Sequence, residues 1–147
     1  MMILMMINIK SLMILAIICI IAVSCARVFT RGSATGNTNA LTAFSNVGVD
    51  EFQALIADPN MQLLDVRTPE EFDEGHIAGA TLVDVNDSSF VDRAVAILDK
   101  QRPVAVYCRS GRRSARAANL LVAQGYTVTN LNGGVMAWQD AGKTLIK

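Results

Sequence analysis

The sequence predicts an α/β domain built on a mainly parallel sheet, and three observations carry that expectation. Short apolar runs of strand length alternate with stretches whose apolar residues recur at helical spacing. Clusters of Gly, Pro, Asn and Asp separate these runs. The alternation holds over residues 44–147 without an internal repeat, enough chain for a single hydrophobic core.

In chain order, "VDEFQALIA" predicts a helix with Asp50 as its N-cap and Phe52, Leu55 and Ile56 on one face, stopped by Asp58-Pro59-Asn60. "MQLLDV" is an apolar strand. Thr68-Pro69-Glu70-Glu71 then opens a short acidic helix, with proline where its missing N–H costs nothing. "ATLVDV" predicts a further strand, and "SSFVDRAVAILD" a helix that turns Phe90, Ala94, Ile97 and Leu98 inward. "PVAVYC" is continuously apolar, as expected of a strand covered on both faces. "RRSARAANLLVAQ" predicts a helix closed by Gly125, "YTVTNL" the last strand and "GGVMAWQDAG" a last short helix.

The amino-terminal end is of another character. A 52% hydrophobic composition is rich for a soluble protein, and much of the excess lies in "MMILMMINIKSLMILAIICIIAV", where Lys10 precedes an apolar stretch from Leu12 to Val23. Residues 1–24 therefore predict an export signal, with small residues at Ser24 and Ala26. Ile21-Ala22-Val23-Ser24-Cys25 resembles a bacterial lipobox, which implies Cys25 as a site of lipid attachment. Cleavage after Ala26 and an uncleaved membrane anchor are the alternatives, and all three put the domain outside the cytoplasmic membrane. Residues 25–43 are small, polar and aperiodic, the composition of a flexible tether to a periplasmic domain at 44–147.

Cys19 lies within the signal and Cys25 at its end, which leaves Cys108 without an obvious disulfide partner. Its neighbourhood is charged asymmetrically. Asp50 to Asp99 holds twelve acidic residues against Arg67 and Arg93, whereas Lys100 to Arg116 holds six basic residues and no acid. A local positive field of this size suits a small anion, and it lacks the length and aromatic interleaving that nucleic acid would require. In "YCRSGRRS" the cysteine follows a buried strand and precedes a helix beginning near Arg112. That is the position where an open parallel sheet binds ligands, and where backbone N–H groups and a helix N-terminus converge. Gly111 allows the loop to bend, and Arg109, Arg112 and Arg113 add full charge. A thiol so placed ionises readily. One histidine and no paired cysteines cannot supply a usual metal-ligand set, so neither a metal nor another cofactor is expected.

Two enzyme classes place a cysteine at the base of an anion-binding loop, one attacking phosphorus and the other sulfur. In the tyrosine phosphatases five residues separate the cysteine from an arginine. Here Arg109, Ser110, Gly111 and Arg112 alone separate Cys108 from Arg113, and Ser114 stands where that arginine would be. The shorter loop makes a tighter cradle, better matched to a terminal sulfur. A phosphatase or arsenate reductase is the disfavoured reading.

Three segments carry a family resemblance: "LLDVRTPEEFDEGHIAGA" from Leu63 to Ala80, "VAVYCRSGRRS" from Val104 to Ser114 and "LNGGVMAW" from Leu131 to Trp138. In order and spacing they resemble the rhodanese family. The resemblance implies a three-layer domain with a central, mainly parallel sheet of about five strands flanked by helices. It implies thiosulfate sulfurtransferase activity in which Cys108 holds a sulfane sulfur as a persulfide, taken from a small anionic donor and passed to cyanide or a thiol. It assigns the amides from Arg109 to Ser114 to the cradle, with Arg112 and Arg113 ahead of Arg109 in contacting the donor anion, and it makes Asp65 and Arg67 a supporting pair. His76 and Trp138 are expected to shape and pack the fold. A monomer is expected. The alternative within the same resemblance is a partner-dependent persulfide carrier or thiol-redox relay.

Overall fold

The computed structural model describes residues 44–147. The expected signal (1–24), the tether (25–43) and Cys25 lie outside the described residues. Ten elements follow one another as β1 (Ser45–Val47), α1 (Val49–Ile56), β2 (Gln62–Asp65), α2 (Pro69–Glu74), β3 (Thr81–Leu82), α3 (Phe90–Ile97), β4 (Val104–Tyr107), α4 (Arg112–Ala123), β5 (Val128–Leu131) and α5 (Gly134–Asp140). The five strands form one sheet in the order β1-β5-β4-β2-β3, and every pairing is parallel.

Alternation along β4 divides the core into two layers. Val104 and Val106 point to one side, where they pack with Phe90 and Ala94 of α3 and Ala117, Ala118 and Leu121 of α4. Ala105 and Tyr107 point to the other, against Phe52 of α1 and Val135 and Trp138 of α5. All four strand residues are buried, which explains a continuously apolar run in place of alternating polarity. Trp138 meets Phe52 edge-on at 6.4 Å between ring centroids, and its indole N–H donates to the Thr144 carbonyl at 3.1 Å.

The strand order puts a crevice at the carboxyl ends of β2 and β4. From β2 the chain moves outward to β3, whereas from β4 it moves the other way to β5, so the two connections diverge from neighbouring strands. The first carries α2. Thr68 caps it through its hydroxyl, which accepts from the Glu71 N–H, while the Glu71 carboxylate accepts from the Thr68 N–H. The second carries α4, which ends as expected with Gly125 at φ +90° and the Tyr126 N–H returning to the Leu121 carbonyl.

Three local expectations change, and one strand is added. Helix α1 starts at Val49 with Gly48 in the capping position, and Asp50 falls in the first turn, where its charge still favours the N-terminal end. Ile97 is 52% exposed; Phe90, Ala94 and Leu98 recur every four residues, and Ile97 falls at the margin of that stripe. Only Thr81 and Leu82 of "ATLVDV" pair as strand, although the Val83 and Val85 N–H groups continue to the Asp65 and Val66 carbonyls. β1 is a strand that the apolar pattern does not announce, since Ser45 and Asn46 are exposed.

The largest polar burial is at the end of β2. Asp65 is inaccessible and Arg67 nearly so, and they are joined by Arg67 Nε at 2.9 Å from both carboxylate oxygens and Nη2 at 2.6 Å from Oδ2. The same Nη2 donates to the Gly75 carbonyl at 2.8 Å, which fastens the far end of α2 to the sheet. Removing one partner leaves the other charge buried and unpaired. Asp65→Ala is expected to lower the unfolding free energy by about 3–5 kcal/mol, whereas Ile97→Ala should change it by less than about 1 kcal/mol. Urea denaturation of both variants measures the difference.

Candidate active site

Cys108 continues the period of Val104 and Val106 beyond the end of β4 and is 1% exposed. The chain then turns through Arg109, Ser110 and Gly111 into α4. Gly111 sits at φ +89°, a left-handed conformation that glycine adopts without strain. A Cβ there would lie 3.1 Å from the Gly133 nitrogen and 3.3 Å from the Leu131 carbonyl oxygen, so glycine is also required by close approach.

The sulfur accepts the Gly111 N–H at 3.2 Å and lies 3.3 Å from the Ser114 hydroxyl oxygen. That hydroxyl is also 3.1 Å from the Gly111 carbonyl. It has one proton, so it can serve the carbonyl while Cys108 is a thiol and turn to the sulfur once Cys108 ionises. Burial is the largest single influence on the thiol and pushes its pKa up. The Ser114 hydroxyl with the amides of Ser114, Ser110 and Gly111 outweighs it, and the thiol lies below its ordinary value.

The three arginines of the loop divide. Arg109 and Arg112 are exposed. Arg113 turns to α2 and makes a bidentate pair with Glu71, at 2.6 and 2.7 Å. The Arg113 N–H groups hold the Glu71 carboxyl below its usual range, while Glu71 and, to a smaller degree, the Cys108 sulfur raise the guanidinium. Asp65 and Arg67 bond to each other rather than to the sulfur. Arg67 stands 5.6 Å from the centre of the Tyr107 ring, whose hydroxyl accepts the Ile77 N–H at 3.0 Å. Burial first, and then Asp65, push the Tyr107 phenol far above its ordinary value, so it stays protonated.

His76 is placed away from the sulfur by its contacts. Its ring stacks on Phe72 at 3.7 Å, Nδ1 lies 3.1 Å from the Phe72 carbonyl, and its backbone pairs in both directions with Ile146. A cavity of about 350 Å³ lies beside the loop, walled by Arg67, Glu71, Glu74 and Gly75 on one flank and by Arg109, Met136 and Gln139 on the other.

Three residue groups at the site escape sequence reasoning. Glu71 reads there as one of several acids in an exposed helix. Asn130 is a polar interruption in a buried strand, and its side chain is buried with Nδ2 donating to Asn46 at 2.7 Å. The Gly133-Gly134 pair belongs to a signature segment, but its task shows only in space. The amides of Val135 and Met136, in the first turn of α5, donate to the Cys108 and Arg109 carbonyls at 2.8 and 3.1 Å. A Cβ on Gly134 would stand 2.3 Å from the Cys108 carbonyl oxygen and 2.6 Å from that of Arg109.

Gly134→Ala is expected to displace those carbonyls and raise the Cys108 pKa, slowing iodoacetamide modification at neutral pH by roughly tenfold, the effect of losing about one hydrogen bond to the thiolate. Gly133→Ala is the matched control. Its φ is also positive, at +76°, but its Cβ would collide with the Ala137 side chain at 2.6 Å, so it should lose stability and leave the thiol titration in place. The pH dependence of Cys108 alkylation distinguishes the two.

Comparisons with known proteins agree with this geometry. Residues 48–141 match the family model described as the Rhodanese-like domain. Thiosulfate sulfurtransferase 18 of Arabidopsis thaliana is 36% identical over 107 residues, covering 64% of this chain and 79% of the relative. Thiosulfate sulfurtransferase GlpE of Shewanella oneidensis is 33% identical over 103 residues, covering 69% of this chain and 98% of its own. The rhodanese-like domain protein of Staphylococcus aureus superposes with a TM-score of 0.60 at 30% identity, covering 70% of this chain and 97% of its own. With a parallel five-stranded sheet, the cysteine loop at its carboxyl edge and these similarities, the chain belongs to the rhodanese-like domain family.

Proposed function

We propose that this protein is a sulfurtransferase that moves a sulfane sulfur from thiosulfate or a similar donor to a thiophilic acceptor through Cys108. The setting of the sulfur carries this reading: a buried thiol of lowered pKa at the carboxyl end of the central strand, surrounded by hydrogen-bond donors of its own loop. The names of the Arabidopsis and Shewanella relatives support thiosulfate as the donor. Residues 1–24, read as an export signal, and Cys25, read as a lipid site, would keep the reaction outside the cytoplasmic membrane.

In the first step the Cys108 thiolate attacks the outer sulfur of thiosulfate. The sulfur–sulfur bond of the donor breaks, its electron pair leaves on sulfite, and a new bond from Sγ to the transferred sulfur gives the persulfide. In the second step the acceptor, cyanide or a thiolate, attacks that outer sulfur and the pair returns to Sγ. The donors that stabilise the thiolate also stabilise the charged persulfide, and Arg112 and Arg109 meet the anion at the rim. No general base is required for a nucleophile already ionised, and the kinetics are ping-pong.

Incubation of the chain with thiosulfate and no acceptor should add one sulfur, about 32 Da by intact mass, to the wild type and nothing to Cys108→Ser. No gain on a wild type whose thiol is free would remove thiosulfate as donor and leave the partner-dependent carrier. Since ionisation of Cys108 is favoured, the loading rate should rise with pH and level off below the range where an ordinary thiol titrates. A rate still climbing through that range would contradict the lowered pKa.

A further inference from the structure

The loop sequence holds three arginines, yet the structure delivers only two of them as free charges. Arg113 is matched by Glu71 in a two-point contact, and both side chains are about a quarter exposed. Glu71 is itself held in place: one carboxylate oxygen accepts from both Arg113 and the Thr68 N–H, and the backbone of Glu71 is bonded to the Thr68 hydroxyl. The pair is thus built into the N-terminal cap of α2 and cannot follow an incoming anion without undoing that cap. We infer that Glu71 is a specificity-determining residue which cancels the charge of Arg113 at the mouth of the cysteine loop and so limits the preference of the site for anionic over neutral sulfur-reactive molecules.

The inference deepens the reading of Cys108 as a nucleophile and rests on it, but it concerns the field at the sulfur and can be tested without sulfur transfer. Iodoacetate and iodoacetamide alkylate the same thiolate with nearly the same shape and differ by one negative charge. The ratio of their rates at Cys108 reports the local potential, because any change in thiol pKa affects both reagents alike. Measured on the full chain, with modification read by mass spectrometry on the peptide that contains Cys108, the ratio separates this thiol from Cys19 and Cys25.

Glu71→Gln keeps the side chain's shape and removes its charge. The ratio of iodoacetate to iodoacetamide rates should rise about two- to fourfold at low salt, the effect of one unit charge within a screening length, and the gain should shrink as salt is added. Arg113→Gln should lower the ratio by a similar factor, since Glu71 is then unmatched. The double variant should return to the wild-type ratio. A Glu71→Gln ratio equal to that of the wild type, or a double variant that keeps the Glu71→Gln ratio, would overturn the inference. If Glu71→Gln unfolds, so that Cys108 reacts like a free peptide cysteine, the Arg113→Gln arm decides: an undiminished ratio sinks the proposal. Failure of thiosulfate loading with the expected ratios would reject the sulfurtransferase reading and leave the charge assignment standing.

Discussion

Everything around the sulfur depends on the orientation of two peptide planes, those that follow Cys108 and Arg109. In a trans peptide the C=O and the next N–H point in opposite directions. Once the amides of Val135 and Met136 hold the Cys108 and Arg109 carbonyls toward α5, the N–H groups of Arg109 and Ser110 are turned the other way. The Ser110 amide then takes its part in lowering the thiol pKa. The loop is therefore not a free strand of chain that happens to be polar. It is clamped from outside by a helix that comes last in the sequence, and Gly134 is the residue whose missing side chain lets the clamp close.

The fold and the nucleophile loop were legible because their signals are local. A continuous apolar run, a cysteine at its end, a glycine directly before a cluster of basic and small residues, and Gly125 at the end of α4 each state their conformation within a few positions. What escaped is what depends on pairing across the sheet or between distant segments. β1 has no apolar alternation and exists because Ser45, Asn46 and Val47 lie in register beside Thr129, Asn130 and Leu131. Glu71 and Arg113 are 42 residues apart, and nothing in either neighbourhood names the other. The Asp50 cap failed for a different reason, since the chain was already helical one residue earlier at Val49.

The same contrast separates net charge from usable charge. By composition the stretch from Lys100 to Arg116 is the basic part of an otherwise acidic half-chain. In space, Arg113 is neutralised, Arg102 donates to the Asn60 and Pro59 carbonyls, and Arg116 donates to the Val85 carbonyl. Half of the six cations in this segment thus serve as struts to other parts of the fold. The positive character that reaches the sulfur comes as much from oriented backbone N–H groups as from guanidinium groups, and such groups need no reorganisation when charge develops.

The depth of Cys108 also sets what it can join. A disulfide between two proteins brings their Cα atoms to within about 4.4–6.8 Å of each other, and a sulfur that is 1% exposed at the floor of a loop gives a second backbone no room to approach so closely. A small electrophile needs no backbone to come so close and has only to reach the sulfur between the Gly111 amide and the Ser114 hydroxyl. Burial alone thus discriminates by size, turning a second protein's thiol away from covalent cross-linking while leaving the sulfur to small reagents.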